Sequence, residues 1–314
     1  MTTQNPQRRA RLLRLATYWS VATAAVLIVV KLIAWLETGA VSLLASLIDS
    51  LMDAAASLMN LFAVRYALRP ADEEHRFGHG KAESLAALAQ AAFIIGSAVL
   101  LTFEGINRLV NPQPLANPGT GIWVMVFAIL ATLLLLTIQR YVVRETGSVA
   151  IRADSLHYLT DLLTNLVTIV AIALVMAGFP RADAILALAI AAYIFYSAAG
   201  IGMQAVHDLM DRELPDDVQR RIVEVALEQE AVRGVHELRT RQSGPTRFVD
   251  LHLELSAHMT LAEAHRISDR VEAAIRAAVP GADVMIHQDP YDDSRPDRPG
   301  ERLSLIHISE PTRH

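Results

Sequence analysis

The chain has 314 residues, 53% of them hydrophobic and 19% charged, with a formal net charge of −5. That balance gives nucleic acid no basic footprint to bind. There is no cysteine, so a disulfide framework and a thiolate metal site are both excluded. Any metal must be held by histidine and carboxylate, a set that suits zinc, cadmium, iron(II) or manganese better than Cu(I).

Residues 1–14 are polar and carry Arg8, Arg9, Arg11 and Arg14, which reads as an N-terminal cytoplasmic segment. No small-residue cleavage site follows a short apolar core, so the first apolar run is read as a retained membrane span. Six runs of bilayer-crossing length follow, at 15–36, 41–67, 84–109, 120–142, 149–177 and 182–207. Tyr18, Trp19 and Trp35 lie near the ends of the first, where amphipathic rings prefer the interface. The other five carry polar residues along one side, which fits a bundle around a polar path. The breaks fall at Gly39, Arg69-Pro70, Asn111-Pro112-Gln113-Pro114, Gly147 and Gly178-Phe179-Pro180.

Arginine and lysine then set the orientation. The N-terminal arginines, Arg69, Arg76 and Lys81 of the second loop, and Arg140 and Arg144 of the fourth fall on one side. Both termini are therefore expected in the cytoplasm, with the protein in the inner (plasma) membrane.

Composition changes after the sixth span. Residues 216–230 pattern as an amphipathic helix, with Val218, Ile222, Val225 and Ala226 on one face. Two strands are expected at 234–241 and 246–256 around Gly244-Pro245, and in the second Val249, Leu251, Leu253 and Leu255 alternate with polar residues. Thr260 and Glu263 form a capping-box signature for a helix over 260–278, and a last strand is expected at 282–288. The fold class predicted is an α-helical membrane protein, a six-helix transmembrane bundle over 15–210, followed by a small α+β domain of order αββαβ over 211–290. Residues 291–314 read as a disordered tail. Its end, LSLIHISEPTRH, continues no earlier pattern and reads as partly foreign to the fold.

The chemistry lies in three groups. Asp49 and Asp53 stand four apart in the second span, as do His157 and Asp161 in the fifth. That spacing places each pair on one helix face. Polar residues that merely pack helices together are the plain alternative. Two such pairs in separate spans, where ionisable groups are costly, instead point to a tetrahedral site for a divalent metal such as zinc. HYLTD lacks the glutamate of H-E-x-x-H, and Gly78-His79-Gly80-Lys81 lacks the spacing of a phosphate-binding loop. The second group is the loop from Asp72 to Lys81, bearing His75 and His79, a composition more often simply solvated. The third is His236, His252, His265, and His287 with Asp289, spread over both strands, the second helix and the last strand of the soluble domain. Lone surface histidines are commonplace, so only their gathering in one small domain favours a cluster.

The segments SLIDSLMDAAASL, ADEEHRFGHGKAESLAALAQ, ADSLHYLTD and DLMDRELPD together resemble the cation diffusion facilitator family, in particular bacterial ferrous-iron and zinc efflux pumps, over about residues 10–290. The resemblance implies a homodimer with six helices per protomer and a metallochaperone-like cytoplasmic domain. It implies a transport site at Asp49, Asp53, His157 and Asp161 and a loop site at Asp72, His75 and His79. It further implies a binuclear site at His236, His252, His287 and Asp289, with His265 as a further ligand. Lys81 and Asp211 correspond to the family's charged pair linking membrane and cytoplasmic parts. The expected function is a proton-coupled antiporter, not an enzyme, exporting zinc and also cadmium or iron(II). Zn2+ would be both cargo and structural ion, with no organic cofactor. A passive channel, an intramembrane metalloenzyme and a transport-free sensor are the rival readings.

Overall fold

The computed structural model describes residues 6–38, 41–110, 121–177, 179 and 181–291. The chain divides chiefly into residues 4–209 and residues 210–314, each a compact unit. The first unit consists of six long helices: α1 (Pro6–Thr38), α2 (Val41–Ala67), α3 (Lys81–Val110), α4 (Gly121–Thr146), α5 (Val149–Met176) and α6 (Ala182–Leu209). They correspond to the six predicted runs, with one correction. The first helix starts at Pro6, so the arginine cluster expected in a polar leader is itself helical. Pro6 fits a first helical position, the residues after it are good helix formers, and Leu13 and Ala16 are fully buried.

Five of the six helices contain segments long and apolar enough to cross a membrane: Gln7–Glu37, Ser46–Ala67, Lys81–Val110, Trp123–Thr146 and Ala184–Leu209. The sixth, α5, is of similar length and carries Arg152, Asp154, His157 and Asp161 in its first half. Outward-facing Leu100, Phe103 and Trp123 are largely exposed, as a lipid-facing surface requires.

Small side chains govern the packing. α3 packs most extensively on α6. Ala87, Ala91 and Ala98 of α3 are buried with Ala198 and Ala205 of α6, interleaved with Ile94, Ile194 and Ile201. Alanine at helical spacing lets backbones approach closely, which is how helices associate in lipid. At Gly105 an added Cβ would come within 3.0 Å of Leu188. A separate cluster of Leu13, Ala16, Val64, Val142, Ala150 and Ile151 ties α1, α2, α4 and α5 together.

The second unit runs α7 (Asp216–Leu227), β1 (Gly234–Ser243), β2 (Thr246–Ser256), α8 (Leu261–Ala278) and β3 (Ala282–Tyr291). β1 and β2 are antiparallel, turning at Gly244 with φ 57, and β2 pairs in parallel with β3 through the α8 crossover. The capping box at Thr260 and Glu263 is formed. Val249, Leu251, Leu253 and Leu255 of β2 pack under Ile222, Val225, Ile267, Val271 and Ile275 of the two helices. The opposite face of the sheet is left for polar side chains. β3 continues to Tyr291, past the predicted end of the strand; the remaining tail residues lie outside the described ones. An irregularity the sequence pattern did not predict sits between His236 and Arg239. There β1 inserts one extra residue against β2, and Glu237 takes φ 48.

Candidate metal centres

The membrane cluster forms where α2 meets α5. His157 Nε2 lies 3.0 Å from Asp53 Oδ1. Asp53, His157 and Asp161 each present a ligand atom within 4.8 Å of the others, with His157 buried and the two carboxylates half-buried. The i, i+4 spacing on α5 sets His157 and Asp161 on one face, and Phe93 meets the imidazole edge-on at 6.1 Å. Asp49, one turn before Asp53 on α2, is exposed and stands outside this group of three. One imidazole and two carboxylates are an appropriate borderline-hard set for a four-coordinate zinc-like ion, and Asp49 is the nearest carboxylate on the same helix face to supply a fourth ligand.

The loop cluster comprises Asp72, His75 and His79. Asp72 Oδ1 accepts from the backbone N–H of His75 at 2.7 Å and of Glu74 at 3.1 Å, an Asx-turn that folds the loop back on itself. Asp72 Oδ2 lies 3.3 Å from Nε2 of His79, and Oδ1 lies 3.4 Å from Nδ1 of His75. Those backbone donations, with the nearby His79 and His75, hold the Asp72 carboxyl below its usual range. His79 is buried, packed edge-on against Tyr66 with ring centroids 4.6 Å apart, and its Nδ1 makes no hydrogen bond within the protein.

The third cluster comes from strand register. His236 of β1 stands opposite His252 of β2, and His252 opposite His287 of β3, so three imidazoles line up across the sheet. Asp289 sits among them, 2.8 Å from His252 Nδ1, 3.2 Å from His236 Nε2 and 3.4 Å from His287 Nε2. The hydrogen bond to His252 holds its carboxyl below the usual range, with the charges of His252, His287 and His236 adding to the effect and slight burial opposing it. His236, His252 and Asp289 form the compact group of three. Glu254 lies 3.7 Å from His236, and the bulge brings Glu237 to 3.8 Å from His252. His265 is exposed on α8, 3.8 Å from Asp269, and stands outside that group in this protomer.

Lys81 and Asp211 belong to different units, and each has a partner in its own. Lys81 Nζ donates to the Leu209 carbonyl at 3.2 Å, and Asp211 lies 3.7 Å from Arg241.

Three neighbours of these clusters were missed from the sequence. Lys31 of α1 donates to Ser50 Oγ at 2.7 Å and to the Ser46 carbonyl at 3.1 Å, and its charge acts on Asp49, Asp53 and Asp161. A lone lysine within the first apolar run was the available signal. Asp154 shares the α5 face of His157 and Asp161, at spacings of three and seven. Glu237 gave no signal, because a bulge is not visible in an alternation pattern.

Apolar helices carrying an imidazole–carboxylate cluster, joined to an α+β unit with another, define a polytopic membrane protein with groups suited to a metal ion in both units. Residues 17–210 match the cation efflux transmembrane domain, and residues 214–291 match the cation efflux protein cytoplasmic domain. The chain belongs to the cation efflux family, as its motifs suggested. It is 55% identical over 281 residues to the cation-efflux pump FieF of Yersinia enterocolitica, a match covering 90% of this chain and 94% of that protein. It is 56% identical to FieF of Pectobacterium atrosepticum, with the same coverage. Among solved structures, a cadmium form of a MamM CTD variant aligns at 28% identity and a TM-score of 0.24, covering 24% of this chain and 98% of that one.

Proposed function

We propose that this chain is a proton-coupled antiporter that exports divalent transition-metal ions from the cytoplasm, with zinc as principal cargo and cadmium or iron(II) as further substrates. The convergence of Asp53, His157 and Asp161 between two membrane helices carries this reading. Asp49 acts as the fourth ligand, and metal selection follows from the nitrogen and oxygen donor set. The kinship with FieF pumps supports efflux as the direction.

Coupling to protons follows from charge. Three carboxylates and one imidazole cannot all stay unprotonated and unoccupied at low dielectric without a large penalty. Lys31 offsets one negative charge and still leaves an excess, so the return step carries protons on the vacated ligands. In the proposed orientation both termini are cytoplasmic and the protein sits in the inner membrane as a homodimer. The loop and cytoplasmic clusters hold metal that stabilises the assembled form, since an ion binding only that form favours it by mass action. His265 supplies a further ligand, from the partner subunit or from its neighbouring helix.

The deciding experiment is zinc flux in proteoliposomes under an imposed pH gradient, wild type against Asp53→Ala. Gradient-dependent flux that disappears in the variant supports the antiporter. Flux indifferent to the gradient favours a channel, and zinc binding with no flux favours a sensor.

A further inference from the structure

The ligands of the membrane cluster sit on helices that need a fixed rotation and depth to bring them together. Asp154, three residues before His157 on the same face of α5, is fully buried, and its oxygens are engaged by side chains from three other helices. Oδ2 accepts from Ser20 Oγ of α1 at 2.6 Å and from Gln139 Nε2 of α4 at 2.7 Å, while Oδ1 accepts from Gln90 Nε2 of α3 at 3.2 Å. Gln139 Nε2 also donates to Ser20 Oγ at 3.0 Å, which closes the network.

Both glutamines turn their amide nitrogens to the carboxylate, and the amide oxygens, Gln90 Oε1 and Gln139 Oε1, make no hydrogen bond within the protein. A buried acceptor left without a partner is destabilising, because it has given up its bonds to water. The network therefore aims three side-chain donors at the carboxyl group of position 154, at the expense of its own amide oxygens. Four residues further along α5, the Tyr158 hydroxyl donates to the Ser20 carbonyl at 3.2 Å and is hydrogen-bonded to Ser57 Oγ at 2.8 Å. Ser57 lies one turn beyond Asp53 on α2, so this contact ties the two ligand-bearing helices together next to the site. Asp154 is not itself among the clustered ligand atoms.

We propose that Asp154 is the positioning residue of the membrane metal site: its bonds to Ser20, Gln90 and Gln139 fix α5 so that His157 and Asp161 meet Asp53. This rests on the reading of that cluster as the transport site. Outer groups that orient ligands are worth about 10–100-fold in metal affinity. Asn at position 154 has nearly the same shape but would face donors with a donor of its own.

The test is equilibrium zinc binding to the full-length protein in detergent, by competition with a chelating dye, with Asp53→Ala identifying the binding step that belongs to the membrane cluster. Asp154→Asn is expected to weaken that step by about 10–100-fold and to leave the other steps at wild-type affinity. Ser20→Ala, which removes one of the three bonds to the Asp154 carboxyl group together with the Gln139–Ser20 contact, is expected to weaken the same step by a smaller factor, and it decides the matter if Asp154→Asn does not fold. Wild-type affinity at that step in the folded variants overturns the proposal, as does an equal loss at every step, which a general packing defect would give. Absence of any Asp53-dependent step overturns it together with the transport-site reading. An Asp53-dependent step that responds to Asp154→Asn, in a protein that carries no zinc across liposomes, sinks the antiporter and leaves this proposal standing.

Discussion

Arg9 and Glu83 form an ion pair between α1 and α3, with Nη2 and Oε2 3.3 Å apart and side chains only 9% and 5% exposed. A surface pair would contribute little, but at this burial the consequence of breaking it is different. Removing one partner leaves the other as an uncompensated buried charge, which costs about 3–5 kcal/mol. The contact is single and longer than the best charge-assisted bonds, so the lower end, about 3 kcal/mol, is the expected loss for Arg9→Met. Glu83→Leu should lose a similar amount. The double variant removes both charges and fills the space with apolar atoms, so it should lose no more than either single change. The coupling is then about 3 kcal/mol, near the top of the range for interacting neighbours. Reversible unfolding of the four proteins in mixed micelles measures it. Singles that lose less than about 0.5 kcal/mol, in the range of exposed pairs, would show that water reaches the pair. Losses that simply add in the double variant would refute the argument as well.

Glu237 holds φ 48 in the β1 bulge, a region that favours glycine, so Glu237→Gly should leave the soluble unit as stable or raise it by up to about 1 kcal/mol; slower hydrogen exchange in β1 would register the gain, and faster exchange would contradict it. At Gly281, φ is 80 and an added Cβ would lie 2.7 Å from the Pro245 carbonyl oxygen, so Gly281→Ala should destabilise the same unit by about 1–3 kcal/mol. The Asp289 carboxyl is depressed by its bond to His252 and by the neighbouring imidazoles. Its contribution to stability is complete above the ordinary carboxyl value of about 4 and is lost as pH falls through its lower folded value. Hydrogen exchange of β2 and β3 should accelerate in that acid window, and Asp289→Asn should remove part of the acceleration; an unchanged acid profile in the variant would count against this cause.

What the sequence made legible was local. Asp49 and Asp53, or His157 and Asp161, are four apart, and a helix turns that spacing directly into a shared face. Strand alternation in β2 likewise separates Leu251 and Leu253 from His252. The capping box is a four-residue pattern, and its two bonds formed as the pattern implied. The Asp154 network was hidden because Ser20, Gln90, Gln139 and Asp154 come from four helices scattered along the chain. Each alone is an ordinary polar residue in a span, and only tertiary packing says which of them meet. The start of α1 was misplaced for a related reason. Arginine marks a polar leader by composition, while burial of Arg9 against Glu83 is decided by a residue far away in the chain.

The three clusters use similar ligands but differ in what a bound ion could do. The loop cluster lies within one short turn, between Asp72 and His79. In the sheet, His236, His252 and His287 sit on strands already joined by backbone hydrogen bonds, so an ion there adds stability to an arrangement that exists without it. The membrane cluster is unlike both. Asp53 and His157 are on helices that touch only sparingly, whereas α2 packs broadly on α1 and α5 on α6. A ligand shifts a conformational equilibrium only by its difference in affinity between the two states. Of the three clusters, the one between α2 and α5 is where a change in helix spacing would most change the ligand set. On the proposed function, it is therefore where occupancy by metal or proton would select one helix arrangement over another.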